Sequence, residues 1–327
     1  MKIFYFIVNP KAGNGKCGTV WQKTEQKLKS LHIPYHAFFT EYPGHAIELS
    51  RLAAKMADGK ESVVVAVGGD GTAHEVLNGL GHYADASFGF IPAGTGNDFS
   101  RGYNVPSDPS EALGHLIGMR EMASTNTDSG SLSLNGTTSL FINNAGAGFD
   151  ALVSKKANES RMKGLFNRLS LGKLVYVYCL LKELAAYQRT AVRVTVDGIV
   201  HDFPEAWFVT VSNQPFYGGG MIISPGALPD DGELDITIVH SLSKAKLLLV
   251  FLSVFWGKHT SFREVLMLRG KEITVQSFSP IHVHADGEYI GMANIGEFKA
   301  VPKAVRLAAS GDRATHLEKR GEANGFG

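Results

Sequence analysis

Six consecutive apolar residues, Ile3-Phe4-Tyr5-Phe6-Ile7-Val8, follow Lys2 and predict a strand buried on both faces. Val20, Trp21, Thr24, Leu28 and Leu31 then recur at helical spacing. The alternation continues. Tyr35 to Phe39 predicts a second strand, Ile47, Leu49, Leu52, Ala53 and Met56 a second helix, and Val63 to Val67 a third strand. Val76, Leu77 and Leu80 give a third helix, and Phe88 to Ile91 a fourth strand. Repeated βα units of this length predict an α/β domain, a parallel sheet with helices on both faces. Ligands of such sheets sit at the carboxyl ends of the strands, which directs attention to the loops at 9–16, 68–72 and 92–98.

The pattern changes after about residue 128. Ser131-Leu132-Ser133-Leu134, Asn135-Gly136 and Thr137 to Ile142 predict a hairpin with a tight primed turn. Residues 149–187 read as helical. Val192 to Val196 with Asp197-Gly198, Ala206 to Val211, Leu234 to Val239, Ile273 to Val275 and Ile281 to His284 then read as strands, interrupted by a helix from Lys244 to Trp256. The expected second domain is a mainly antiparallel β-sandwich. Boundaries follow: 1–128 for the first domain, completed by about 302–312, then 129–301 for the sandwich. Residues 313–327, polar and without periodicity, read as a disordered tail.

A length of 327 residues fits two domains, each able to bury a core without disulfides. Lys plus Arg number 32 and Asp plus Glu 31, a balance that argues against electrostatic binding of nucleic acid. Cys17 and Cys179 stand far apart without a CxxC, so neither a disulfide framework nor a zinc module is expected. The opening apolar run is too short for a signal-peptide core, and the stretch from Leu247 to Trp256 is too short to span a bilayer. The expectation is a soluble, cytoplasmic protein.

Chemistry concentrates in three glycine clusters. Gly13-Asn14-Gly15-Lys16-Cys17-Gly18 matches the dinucleotide pattern GxGxxG after a strand, with Glu41 beyond the next strand. Asn9-Pro10-Lys11-Ala12 lengthens that loop, however, and Pro10 and Cys17 break the Walker pattern. A nicotinamide site, a plain surface turn, and phosphate contacts by the backbone with Lys11 or Lys16 all remain open there. Gly68-Gly69-Asp70-Gly71-Thr72 follows a strand directly and opens a helix, where bare backbone N–H groups and the helix terminus favour phosphate. Thr72 and Glu75 also fit a capping box. Asp70 amid phosphate-binding glycines calls for Mg²⁺ or a substrate hydroxyl between like charges. Pro92-Ala93-Gly94-Thr95-Gly96-Asn97-Asp98-Phe99 repeats the combination of small residues, a hydroxyl and a carboxylate. Together these loops point to a nucleoside triphosphate handled with metal.

These clusters, with Asn78-Gly79, resemble the diacylglycerol kinase catalytic domain family, of the soluble bacterial lipid kinase type. The resemblance extends through Asn144-Ala145-Gly146-Ala147-Gly148-Phe149-Asp150-Ala151, Pro229-Asp230-Asp231-Gly232-Glu233-Leu234-Asp235 and Asp286-Gly287-Glu288, and so covers roughly residues 2–309. It implies an NAD-kinase-like α/β domain, a β-sandwich for the lipid, and ATP in the cleft between them. ATP would meet Asn9, Pro10, Lys11, Gly13, Lys16, Thr40, Gly68, Gly69, Asp70, Gly71, Thr72, Gly94, Thr95 and Asn97. Asp70 and Asp98 would serve catalytic Mg²⁺, and Glu288 would be the general base for the lipid hydroxyl. Asp231, with the carbonyls of Leu228 and Glu233, matches a structural Mg²⁺ position, and Asp128 matches an aspartate linking that loop to the nucleotide site. Asn14 departs from the family pattern, where a lysine often follows the first-loop glycine, so the phosphate-binding cation is open between Lys11 and Lys16.

The implied activity is ATP- and Mg²⁺-dependent transfer of a phosphoryl group to a lipid hydroxyl, with diacylglycerol as first choice and phosphatidylglycerol or a sphingoid base as alternatives. A soluble acceptor, as in NAD kinases, and a catalytically silent regulator are the rivals. The enzyme would visit the inner membrane face as a peripheral protein, with a homodimer left open. Lys155, Lys156, Arg161, Lys163, Arg168 and Lys173 read as a solvated face or as a draw toward anionic membrane. The stretch from Leu247 to Trp256 reads as a buried domain helix before an interfacial one. His282 and His284 read as packing or surface residues.

Overall fold

The computed structural model describes residues 2–308 apart from 82, 84 and 161–171. Strands β1 (Ile3–Val8), β2 (Tyr35–Phe39), β3 (Ser62–Gly68) and β4 (Ala86–Pro92) pair in parallel in the order β4-β3-β1-β2. Helices α1 (Lys16–Ser30), α2 (His45–Ala57) and α3 (Asp70–Leu80) follow the first three strands, and α4 (Asp98–Gly102) and α5 (Pro109–Gly118) follow β4. The alternation along β1 shows why it is apolar throughout. Phe4, Phe6 and Val8 pack with Trp21 and Leu28 of α1 and Leu113 and Leu116 of α5. Tyr5 and Ile7 face Ala53 of α2 and Val76 and Leu77 of α3 on the other side.

The second half begins with β5 (Thr125–Leu134) and β6 (Thr137–Phe141), joined through Asn135 (φ 50°) and Gly136 (φ 81°) as the predicted primed turn requires. Next come β7 (Asn144–Gly148), α6 (Phe149–Glu159) and α7 (Gly172–Ala186). The middle of the stretch predicted as helical lies outside the described residues, as do Arg161, Lys163 and Arg168, the side chain of Lys173 and the predicted tail. The remainder is β8 (Thr190–Val196), β9 (Ile199–Ser212), β10 (Phe216–Tyr217), β11 (Met221–Ile222), β12 (Leu234–His240), α8 (Lys244–Val254), β13 (Val265–Gly270), β14 (Glu272–Ala285) and β15 (Glu288–Leu307).

Strands β9 and β14 are joined twice, by β7 at one end and by β8 at the other. The antiparallel sheet therefore wraps around a single core that includes Val194, Val209, Val211, Leu234, Ile236, Ile273 and Val283. The strands expected at 273–275 and 281–284 are one strand, β14, whose register against β15 breaks between Gln276 and Ile281. Strands β7, β10, β11, β13 and β15 are absent from the sequence reading. β15 pairs with β14 along its first part and with β5 along its last, and Leu307 lies beside Phe88 of β4. One strand thus runs from the antiparallel sheet into the parallel one.

Candidate active site

The three glycine loops converge because their backbones touch. A Cβ on Gly13, where φ is +56°, would overlap the carbonyl oxygen of Ala93, and one on Gly94 would overlap Gly69 Cα. First, second and third loops are therefore mutually packed, and only glycine permits the approach. They form one wall of a cleft of about 980 Å³. The opposite wall comes from Asn143, Asn144, Ser154, Asn158, the Tyr217-Gly218-Gly219 turn and Asp286-Gly287-Glu288.

Most of the residues expected to meet ATP line this cleft: Asn9, Lys11, Gly13, Lys16, Thr40, Gly69, Asp70, Gly71, Thr72, Gly94 and Thr95. Pro10, Gly68 and Asn97 are not among its lining residues. Asn9 Nδ2 donates to Thr72 Oγ1 at 3.2 Å, tying the first loop to α3, and Lys11 Nζ donates to the Glu41 carbonyl at 3.0 Å. Glu75 does not close a capping box on its own helix. Its two carboxylate oxygens accept from the backbone N–H groups of Gly44 (2.9 Å) and Ala46 (3.1 Å), so it caps the neighbouring α2.

Asp98 is buried and Asp70 half-buried between the walls. Asp70 Oδ1 accepts from Phe99 N at 2.9 Å. Asp98 Oδ2 accepts from Gly219 N at 2.7 Å, and its Oδ1 pairs with Arg101 at 3.0 Å. Burial, reinforced by the charge of Asp98, pushes the Asp70 carboxyl up to about 7. Burial raises Asp98 as well, against the pull of the Gly219 N–H and Arg101. On the facing wall, Asn144 Oδ1 is buried with no hydrogen-bond partner among the described residues. Two carboxylates, the charge of one raising the pKa of the other, with an unpartnered oxygen on the facing wall, form a donor set that suits a hard divalent cation. Among the described residues no three of His, Cys, Asp and Glu gather closely enough to hold a metal unaided. Two carboxylates completed by phosphate and water oxygens is the arrangement Mg²⁺ ordinarily adopts.

Glu288 begins β15, is exposed to the cleft, and faces Gly71 at the first turn of α3. Beneath it lies a network the sequence reading missed. Asp286 accepts from the N–H groups of Ile142 (3.0 Å), Asn143 (2.8 Å) and Asn144 (3.1 Å), and His74 Nδ1 lies 3.0 Å from its Oδ2. Burial would lower the His74 pKa, but the hydrogen bond to Asp286 and the charges of Asp286, Glu288 and Glu75 raise it overall. His284 is fully buried. Its Nδ1 accepts from Gly287 N at 3.3 Å, and its Nε2 lies 3.4 Å from Asp150 Oδ2. Two buried Asp–His pairs therefore flank the turn that presents Glu288. The Gly218–Gly220 turn was missed too, although three consecutive glycines were a visible signal.

The loop expected to hold structural Mg²⁺ lies away from the cleft lining. Asp231 Oδ2 pairs with Arg269, which also stands 3.8 Å from Glu233 and 3.5 Å from Asp235. The loop's negative charge is thus met by a guanidinium, and the Leu228 side chain is exposed. Asp128 is buried, accepting from Gly232 N and Lys303 N at 2.7 Å each, which ties the loop to β15. Lys155 Nζ sits 4.3 Å above the Tyr289 ring, beside Glu288 in sequence, and Lys156 faces Glu159.

Residues 4–127 match the family model described as diacylglycerol kinase catalytic domain, and residues 143–309 match the YegS C-terminal NAD kinase beta sandwich-like domain. The Bacillus subtilis protein named "Putative lipid kinase YtlR" is 35% identical, covering 89% of this chain and 94% of its own. A diacylglycerol kinase of Mycobacterium tuberculosis is 34% identical, covering 92% of this chain and 93% of its own. A crystal structure from Bacillus anthracis superposes with a TM-score of 0.72 at 24% identity, over 95% of this chain and 97% of the other, which is a likeness of fold. With both halves matched and curated relatives aligned over nearly their full length, the chain belongs to the diacylglycerol kinase family of lipid kinases, phosphotransferases that take an alcohol group as acceptor.

Proposed function

We propose that this enzyme uses ATP and Mg²⁺ to phosphorylate the hydroxyl of a membrane lipid, with diacylglycerol as acceptor and phosphatidic acid as product. The observation that carries this reading is the placement of Glu288 opposite the glycine loops, across a cleft that also holds Asp70 and Asp98. Phosphoryl transfer asks the protein chiefly to align donor and acceptor and to spread charge. The glycine loops and the N-terminus of α3 supply N–H groups for the phosphates, and Lys16 and Lys11 line the same wall. Asp70 and Asp98 are the residues that would hold Mg²⁺, which when bound offsets the charge of the phosphates and of the two carboxylates. Glu288 accepts the proton of the acceptor hydroxyl as its oxygen attacks the γ-phosphorus, and ADP leaves.

Among the described residues no helix is long and apolar enough to cross a membrane, so this reading has the enzyme meet its lipid at the bilayer surface. The test is transfer of label from γ-labelled ATP to diacylglycerol in mixed micelles, resolved by thin-layer chromatography beside Glu288→Gln. Labelled phosphatidic acid that disappears in the variant supports the reaction and the base together. Label in a different lipid corrects the acceptor. Absence of label in every lipid, with ATP still bound, sinks the proposal.

A further inference from the structure

We infer that the outer face of α8 and the turn after it dock the protein on an anionic lipid bilayer. This rests on the lipid-kinase reading and names the surface that the reading leaves open. Helix α8 is apolar nearly all round, yet it is buried on one side only. Leu247, Val250 and Val254 point inward. On the other side Leu249, Leu252 and Trp256 follow i, i+3, i+7 spacing and are 61%, 56% and 70% exposed. A row of large apolar side chains facing water marks a surface that something covers.

Three observations select a bilayer. The first is charge. Residues 241–263 contain no Asp or Glu, while Lys244, Lys246, Lys258 and Arg263 flank the apolar row along the chain. Glu264 lies just beyond and pairs with Lys246 and Arg263, Lys244 Nζ donates to the Ala185 carbonyl, and Lys258 is exposed. An apolar row flanked by cations complements anionic headgroups over acyl chains. The second is Trp256 itself, since an indole beside a basic residue favours the headgroup depth of a bilayer. The third is continuity with the cleft. Val254, with Phe251 and Phe255, packs against Tyr217, Met221 and Ile223, and Tyr217 lines the cleft. The docking face is therefore the outside of the cleft wall that Tyr217 belongs to.

The chain carries its own reporter. Of its three tryptophans, Trp21 and Trp207 are buried, so Trp256 is the one that brominated acyl chains can quench. Phosphatidylcholine vesicles containing phosphatidylglycerol should blue-shift and quench the emission, and Trp256→Ser should abolish this. High salt should weaken it, and vesicles of phosphatidylcholine alone should bind less well. Leu249→Ser with Leu252→Ser should cut vesicle affinity about tenfold or more, with binding of an ATP analogue and turnover of a short-chain, water-soluble acceptor unchanged. Phosphorylation of micellar lipid without any vesicle quenching overturns the docking face and leaves the kinase reading intact. Quenching without labelling of any lipid does the reverse. If the double variant turns a dimer into a monomer without changing vesicle binding, a second copy covers the face and the inference is wrong.

Discussion

The carboxylate of Glu288 occupies the space that a side chain on Gly71 would need: a Cβ built there would stand 2.5 Å from Glu288 Oε1. The side chain of the first residue of β15 thus reaches across to the first turn of α3. Gly71→Ala should push the carboxylate aside while leaving the fold intact. Turnover should fall about tenfold to a hundredfold, since small misplacements of a reacting group carry penalties of that size. Glu288→Gln should lose roughly 10²–10⁴. In the Glu288→Gln background Gly71→Ala should cost nothing further, and a double-mutant cycle on kcat checks this.

The Asp70 and Asp98 pair should make stability depend on pH in a particular direction. Burial, then the charges of Asp98 and Asp286, lifts Asp70 to about 7, whereas the unfolded chain releases this proton near its ordinary value of about 3.9. The native state binds the proton more tightly, so stability falls as pH rises between about 4 and about 7 and levels off above. Thermal melts in chelator should show this fall, and Asp70→Asn should flatten it. Saturating Mg²⁺ should raise the melting temperature most at the alkaline end, where both carboxylates are charged.

Asp286 collects three backbone N–H groups and His74 in a buried place. Asp286→Ala should leave those donors unmet and cost about 3–5 kcal/mol in urea unfolding, the range for breaking a buried charge pair. The raised His74 pKa has the opposite charge logic to a paired carboxylate. Its contribution is complete below about 6.5, the unfolded value, and is lost as pH climbs through the higher folded value. His74→Gln should therefore remove part of the pH dependence above about 6.5.

Gly94→Ala should weaken nucleotide binding. The added methyl would overlap Gly69 Cα, a backbone atom that cannot rotate away, so the second and third loops must separate. An overpacking penalty of about 1–3 kcal/mol, if met on binding, corresponds to roughly fivefold to 150-fold in affinity. Calorimetric titration with a non-hydrolysable ATP analogue reads it directly.

The parallel half was legible because β1, β3 and β4 are buried on both faces and so show apolar runs, Ile3 to Val8, Val63 to Val67 and Phe88 to Ile91. The wrapped half was harder for a physical reason. Strand β7 reads Asn-Ala-Gly-Ala-Gly, since larger residues do not fit between β9 and β14; a Cβ on Gly146 would overlap Asp150 and stand 2.5 Å from His284 Nε2. Strand β15 carries glycines, Pro302 and alternating exposure, a pattern that does not announce a twenty-residue strand. The glycine loops and Glu288 could be identified because their motifs are local. Glu75 capping α2, and His74 reaching Asp286, join residues 29 and 212 positions apart, and no spacing rule reveals such pairs.

The passage of β15 from one sheet to the other also connects the cleft to the parallel sheet through hydrogen bonding. Its partner β5 crosses beside it, so the halves are joined by a two-stranded ribbon. The ladder is interrupted between Val301 and Val305, where Lys303 adopts φ 54° and gives its N–H to the buried Asp128. Such a break bends the strand and increases its local twist, which turns the ribbon from one sheet toward the other. The same strand that begins at Glu288 on the cleft ends at Leu307 beside Phe88 of β4, so the residue facing the glycine loops and the parallel sheet that carries those loops are linked along one strand.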